Sequence, residues 1–103
     1  MNKNTKKPRN MEMYKAILML KNMDECTRFF DDLCTVSELK AMEQRFQVAC
    51  LLNQGLVYND ILEQTGASSA TISRVNRSLQ YGADGYEIIF DRMAKMKDNG
   101  DDE

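Results

Sequence analysis

The sequence predicts an all-α fold of about six helices, and three observations carry that reading. Apolar residues recur at i, i+3 or i+4, and i+7 along most of the chain, the period of a half-buried helix. Capping patterns stand where those periodic runs begin. The chain holds one proline, Pro8, and five glycines in 103 residues, which argues for mostly helix with short connections. No run alternates with the period of two that a strand requires.

Met13, Ile17 and Leu20 mark a first amphipathic helix. Asn22 followed by Glu25 is an Asx-type cap close to a capping box, opening a second helix with Cys26, Phe29, Phe30 and Leu33 on one face. Two adjacent phenylalanines suggest a dense contact, either within the chain or between subunits. Thr35-Val36-Ser37-Glu38 is a clearer capping box, with Thr35 at N-cap and Glu38 at N3. The long helix it opens carries Leu39, Met42, Phe46, Ala49 and Leu52 or Asn53 around its buried side and ends near Gln54-Gly55. Two short helices follow. Tyr81-Gly82-Ala83-Asp84-Gly85 breaks the chain, and a last helix carries Tyr86, Ile89, Phe90, Met93 and Met96.

The two short helices, Tyr58 to Arg77, read YNDILEQTGASSATISRVNR, a helix-turn-helix. Ile61 and Leu62 give the first its apolar side. Gly66 sits where the chain turns, because glycine adopts positive φ without steric cost. A Ser-rich cap starts the second. Ile72, Val75 and Leu79 make one apolar stripe, and at about 100° per residue Ala70, Ser73, Arg74 and Arg77 fall on the opposite side. That face is small, hydroxylated and cationic, suited to approach a major groove and bond phosphates and base edges. No Asp or Glu stands between Gln64 and Ala83.

A 103-residue chain is bounded to one small domain, here 11–97 with the helix-turn-helix at 58–80. Its 43% hydrophobic content supports a core, yet a flat helical array of this size leaves apolar surface that a partner subunit commonly buries. Residues 1–10 carry Lys3, Lys6, Lys7 and Arg9 and are expected to form a disordered basic arm, adding phosphate contacts or merely solubilising. Residues 98–103, with Asp98, Asp101, Asp102 and Glu103, form an acidic tail. The net charge of −2 argues against a generic, high-pI nucleic-acid binder. No run approaches the ~20 apolar residues of a membrane span, and the basic start lacks the apolar stretch of a signal peptide. A cytoplasmic location is expected, without membrane contact.

Catalysis is not expected. With no histidine in the chain, a Ser or Cys nucleophile loses its usual base, and Asp31-Asp32, adjacent on a helix, point different ways. A metal site is not expected either. Cys26, Cys34 and Cys50 lack ligand spacing and read as reduced core residues on helices.

The stretches RFQVACLLNQG and GASSATISRVNRSL carry a family likeness. Thr35 through Leu79 resembles the Trp repressor family, in particular its small YerC/YecD-type members, with Gly-Ala-x-x-Ala-Thr-Ile-Ser/Thr-Arg as the specific signature. The resemblance implies an intertwined, all-helical homodimer whose N-terminal helices share one core. It also implies a sequence-specific transcriptional regulator reading palindromic double-stranded DNA. By position, its DNA-contacting sites match Tyr58, Asn59, Ser69, Ala70, Thr71 and Ser73. The exposed-face argument adds Arg74 and Arg77.

In the tryptophan-binding repressor two arginines flank the corepressor, and Arg45 and Arg74 match them, with Thr35 and Ser78 at two polar positions of the same pocket. The chain departs at Val75, where that repressor has glycine. Three extra carbons beside a tightly fitted ring oppose L-tryptophan or another amino-acid-like effector. Two alternatives remain beside DNA reading without that corepressor. One is a true tryptophan-responsive repressor. The other is a helical dimer whose helix-turn-helix binds a protein.

Overall fold

The computed structural model describes residues 8–98. Among them it has six α-helices and no strand: α1 (Met11–Ile17), α2 (Met23–Leu33), α3 (Val36–Asn53), α4 (Tyr58–Thr65), α5 (Ser69–Tyr81) and α6 (Gly85–Asp98). None of these helices is long and apolar enough to cross a membrane. Lys3, Lys6 and Lys7 of the basic arm, and Asp101, Asp102 and Glu103 of the acidic tail, lie outside the described residues. The chain divides inside α3 into two compact units, Met1–Glu43 and Gln44–Glu103.

In the first unit α1 is shorter than its apolar spacing implies. The Asn10 side chain caps its start, but the helix ends at Ile17, and Leu20 lies beyond it. The backbone N–H groups of Met19 and Leu20 donate to the carbonyls of Ala16 and Ile17. These three-residue closures tighten the last turn and stop the helix. The chain then extends into the cap of α2. Asn22 Oδ1 accepts from the Glu25 N–H at 2.8 Å, and the Glu25 carboxylate accepts from the Lys21 N–H at 2.9 Å. This is a capping box whose return bond reaches one residue further back than the usual form.

Along α2, Cys26, Phe29 and Phe30 are half-buried and Leu33 is exposed. The two phenylalanine rings meet edge to face, with centroids 5.7 Å apart. Neither α1 nor α2 contains a fully buried residue. Thr35 and Glu38 close the box expected at the start of α3: the Glu38 N–H donates to Thr35 Oγ1 at 3.1 Å, and the Thr35 N–H donates to the Glu38 carboxylate at 2.8 Å.

The second unit holds every fully buried side chain of the described residues. Val48 and Ala49 of α3, Ile61 of α4, Ala67 of the turn, and Ile72 and Val75 of α5 form one apolar core, with Leu51, Leu52, Leu56, Leu79, Tyr86 and Phe90 packed against it. The buried side of α3 therefore differs from the expected one. Ala49 is buried and Leu52 half-buried as expected, but Val48 is fully buried too, Met42 and Phe46 are each 39% exposed, and Asn53 faces solvent. One helix has different neighbours along its length, so no single stripe describes it.

α3 ends as expected at Gln54-Gly55. The Leu56 N–H reaches the Leu51 carbonyl and the Gly55 N–H reaches that of Leu52, with Gly55 at φ +91°, the bond pattern of a Schellman stop. On α6, Tyr86 and Phe90 stack at 5.8 Å, and Phe46 lies 6.4 and 6.0 Å from their ring centroids. Ile89, Met93 and Met96, the rest of the expected apolar face, remain exposed. Tyr81, read as part of the break, is instead the last residue of α5.

The three cysteines are free thiols, but half-buried rather than core. Cys34 stands at the C-cap of α2 and not inside a helix. Burial pushes the Cys50 thiol above its ordinary value.

Candidate nucleic-acid interface

The site is built on α4, the turn and α5. Tyr58 and Asn59 open α4 and are exposed. The residue before them, Val57, gives no side-chain cap. Ile61 is fully buried, whereas Leu62, expected beside it on the apolar side, is exposed. Successive residues differ by about 100° around a helix, so the eight-residue α4 turns only Ile61 of the pair into the core shared with α3 and α5.

Gly66 takes the left-handed conformation at φ +71°, ψ +7°, and its N–H donates to the Leu62 carbonyl. Ala67 follows at 1% exposure. It was not among the expected core residues, because an alanine between a glycine and serines has no periodic partner. Ser68 caps α5: its Oγ accepts from the Thr71 N–H and lies 3.1 Å from the Thr71 hydroxyl.

Ile72 and Val75 are buried and Leu79 is half-buried, which is the expected stripe. Ser69, Ala70, Ser73, Arg74 and Arg77 are all exposed on α5. Neither arginine has a carboxylate partner among the described residues. Thr71 differs from the rest of the set: it is half-buried and engaged in the cap. Its hydroxyl serves the helix start, leaving the serines and arginines as the free polar groups of the face.

Sequence reasoning missed Thr65 and Gln44. The Thr65 hydroxyl donates to the Ile61 carbonyl at 2.7 Å and accepts from the Ala67 N–H at 3.0 Å, spanning the Gly66 turn. Gln44 of α3 donates from Nε2 to the Thr65 carbonyl at 3.2 Å. A threonine before the turn glycine is a local clue. Nothing in the spacing of Gln44 connects it to a residue 21 positions on.

The four residues of the expected effector pocket divide between the units. Thr35 is in the first, where its hydroxyl is the N-cap acceptor of α3. Arg45, Arg74 and Ser78 are in the second and are exposed. Val75, next to Arg74, is 2% exposed and part of the core. No group of His, Cys, Asp or Glu among the described residues is placed to hold a metal.

A helix-turn-helix carried on a long α3 is the arrangement of a Trp repressor-like protein, and residues 10–94 match the profile of the Trp repressor protein family. The chain is 51% identical over 86 residues to the uncharacterized protein YerC of Bacillus subtilis (strain 168), covering 84% of this chain and 83% of that one. A crystal structure of a candidate Trp repressor from Staphylococcus aureus superposes with a TM-score of 0.78 at 55% identity, covering 81% of this chain and 83% of its own. A TrpR-like protein from Eubacterium eligens ATCC 27750 superposes with a TM-score of 0.82 at 49% identity, covering 90% and 96%. The chain belongs to the Trp repressor family.

Proposed function

We propose that this protein is a cytoplasmic, homodimeric, sequence-specific transcriptional regulator. In this reading Tyr58, Asn59, Ser69, Ala70, Ser73, Arg74 and Arg77 meet the major groove of a near-palindromic operator, and Thr71 shapes the helix start. The observation that carries the proposal is the exposed face of α5. Short side chains and two arginines without ion-pair partners, with no carboxylate in the helix, stand opposite a buried stripe. Such a face admits close approach to base edges and charge-assisted bonds to phosphate.

The dimer is supported by the first unit, where α1, α2 and the link between them expose Met11, Leu18, Met19, Met23 and Leu33, and neither helix buries a residue fully. A second copy supplies the missing cover. Residues 11–97 then act as one domain completed by its partner, flanked by the 1–10 arm and the 98–103 tail. Val75 supports DNA reading without tryptophan, because its side chain is part of the packed interior.

Selection of bound sequences from a random duplex pool, with and without added amino acids, tests the reading. Enrichment of a palindrome is expected without any addition. A steep loss of affinity with salt is also expected, through counterion release. Salt-insensitive binding with no enriched sequence would favour the protein-binding alternative, to which the net charge of −2 lends some weight.

A further inference from the structure

We propose that Gln44 and Thr65 are positioning residues that set the orientation in which α5 is presented to DNA. The proposal rests on the DNA-binding reading above and adds a cause of its specificity.

Among the described residues, side-chain hydrogen bonds are local, joining residues two to four apart, with one exception. The exception is Gln44 to Thr65. It runs from the scaffold helix α3 to the last residue of α4, at a carbonyl in the final turn that a helix end leaves without an intrahelical donor. Thr65 is also held through its hydroxyl, to Ile61 behind the turn and Ala67 beyond it. Both ends of the Gly66 turn are therefore tied to one residue, and that residue is tied to the scaffold.

The apolar core cannot perform this task alone. Val48, Ala49, Ile61, Ala67, Ile72 and Val75 hold the two reading helices against α3, but apolar attraction is non-directional. A hydrogen bond weakens steeply with angle, so the Gln44 amide penalises rotations that packing tolerates. Base readout requires side chains held to about 0.5 Å and 10–20°. Contacts to phosphate by flexible arginines are far less demanding. Removing the brace should therefore reduce discrimination more than general affinity.

Two variants remove the brace with little change of shape: Gln44→Met deletes the amide donor and Thr65→Val deletes the hydroxyl. Thr65→Ser keeps the hydroxyl and serves as the rescue. Fluorescence anisotropy is measured on the selected duplex and on a scrambled duplex of equal length at one salt concentration. The ratio of the two affinities should fall about tenfold in Q44M and T65V, the scale of one hydrogen bond. T65S should restore it, with scrambled-duplex affinity and its salt slope unchanged. A parallel loss on both duplexes, or an unchanged ratio in folded Q44M, would overturn the proposal.

Amide hydrogen exchange provides a readout independent of DNA. Exchange at Gly66 and Ala67 should accelerate in Q44M while that of Val48 and Ala49 stays fixed, and identical exchange would show that the brace holds nothing. Should the wild-type chain select no duplex, the role in specificity falls together with the DNA-binding reading. The exchange experiment then still decides whether the brace orders the turn.

Discussion

Ala70 and Ser73 are exposed on α5, so a substitution there separates binding from folding. Ala70→Glu and Ser73→Glu should abolish specific DNA binding, because a carboxylate set against the duplex costs several kcal/mol. Each should alter stability by no more than about 0.5 kcal/mol, the usual range for an exposed site. Gel-shift titrations with paired thermal melts check both, and near-normal affinity in the two variants would move the binding surface elsewhere.

Val75 is the opposite kind of residue. Deleting its three carbons at ~0.8 kcal/mol each and leaving a glycine inside a helix at ~1 kcal/mol should destabilise Val75→Gly by roughly 3 kcal/mol. The same change restores the glycine of the tryptophan-binding repressor, so calorimetry should find weak L-tryptophan binding by the wild type and tighter binding by the variant. Micromolar binding by the wild type would refute the obstacle. Cys50 supplies the pH dependence. Burial raises its thiol above the ordinary 9.0, so the unfolded chain ionises first. Its contribution is complete below about pH 9 and is lost as pH rises through the folded value. Melting temperature should fall above pH 9, and less so in Cys50→Ala.

The elements are decided at their ends. Gly66 holds the left-handed turn, and an added Cβ would meet no atom within 4 Å, so the cost of Gly66→Ala is backbone strain alone, about 1–2 kcal/mol. Gly66→Asn should recover part of it, since asparagine visits this region more readily. Urea unfolding of the three proteins ranks them, and equal midpoints would mean that the turn relaxes. The boxes at Asn22–Glu25 and Thr35–Glu38 were legible because a cap is local chemistry between residues three apart. The short end of α1 was not. The run Met13, Ile17, Leu20 has helical spacing, but the three-residue closures after Ala16 and the extended approach to Asn22 interrupt it.

At the scale of the molecule the two units are unlike. The second has a closed apolar core, while the first displays apolar side chains with no fully buried member among the described residues. The proposed dimer should bury more than roughly 2,000 Å², the range of obligate interfaces. Its recognition helices should stand about 34 Å apart, one turn of DNA. Sedimentation at micromolar concentration should find a dimer, and Leu33→Asp should weaken it. A stable folded monomer of the wild-type chain would remove the basis for a palindromic target.

By itself the sequence determined the helical class, the two capping boxes, the turn at Gly66, and the division of α5 into a buried stripe and a polar face. All follow from bonds and periodicities spanning fewer than about eight residues. The tertiary structure decided what depends on which neighbour arrives. It chose Val48 and Ala67 for the core and left Leu62 and Phe46 partly in solvent. It also joined Gln44 to Thr65 across 21 positions. Periodicity gives the direction of a side chain around its own helix. It carries no information about what lies in that direction, and a hydrogen bond between distant residues leaves no trace in local spacing.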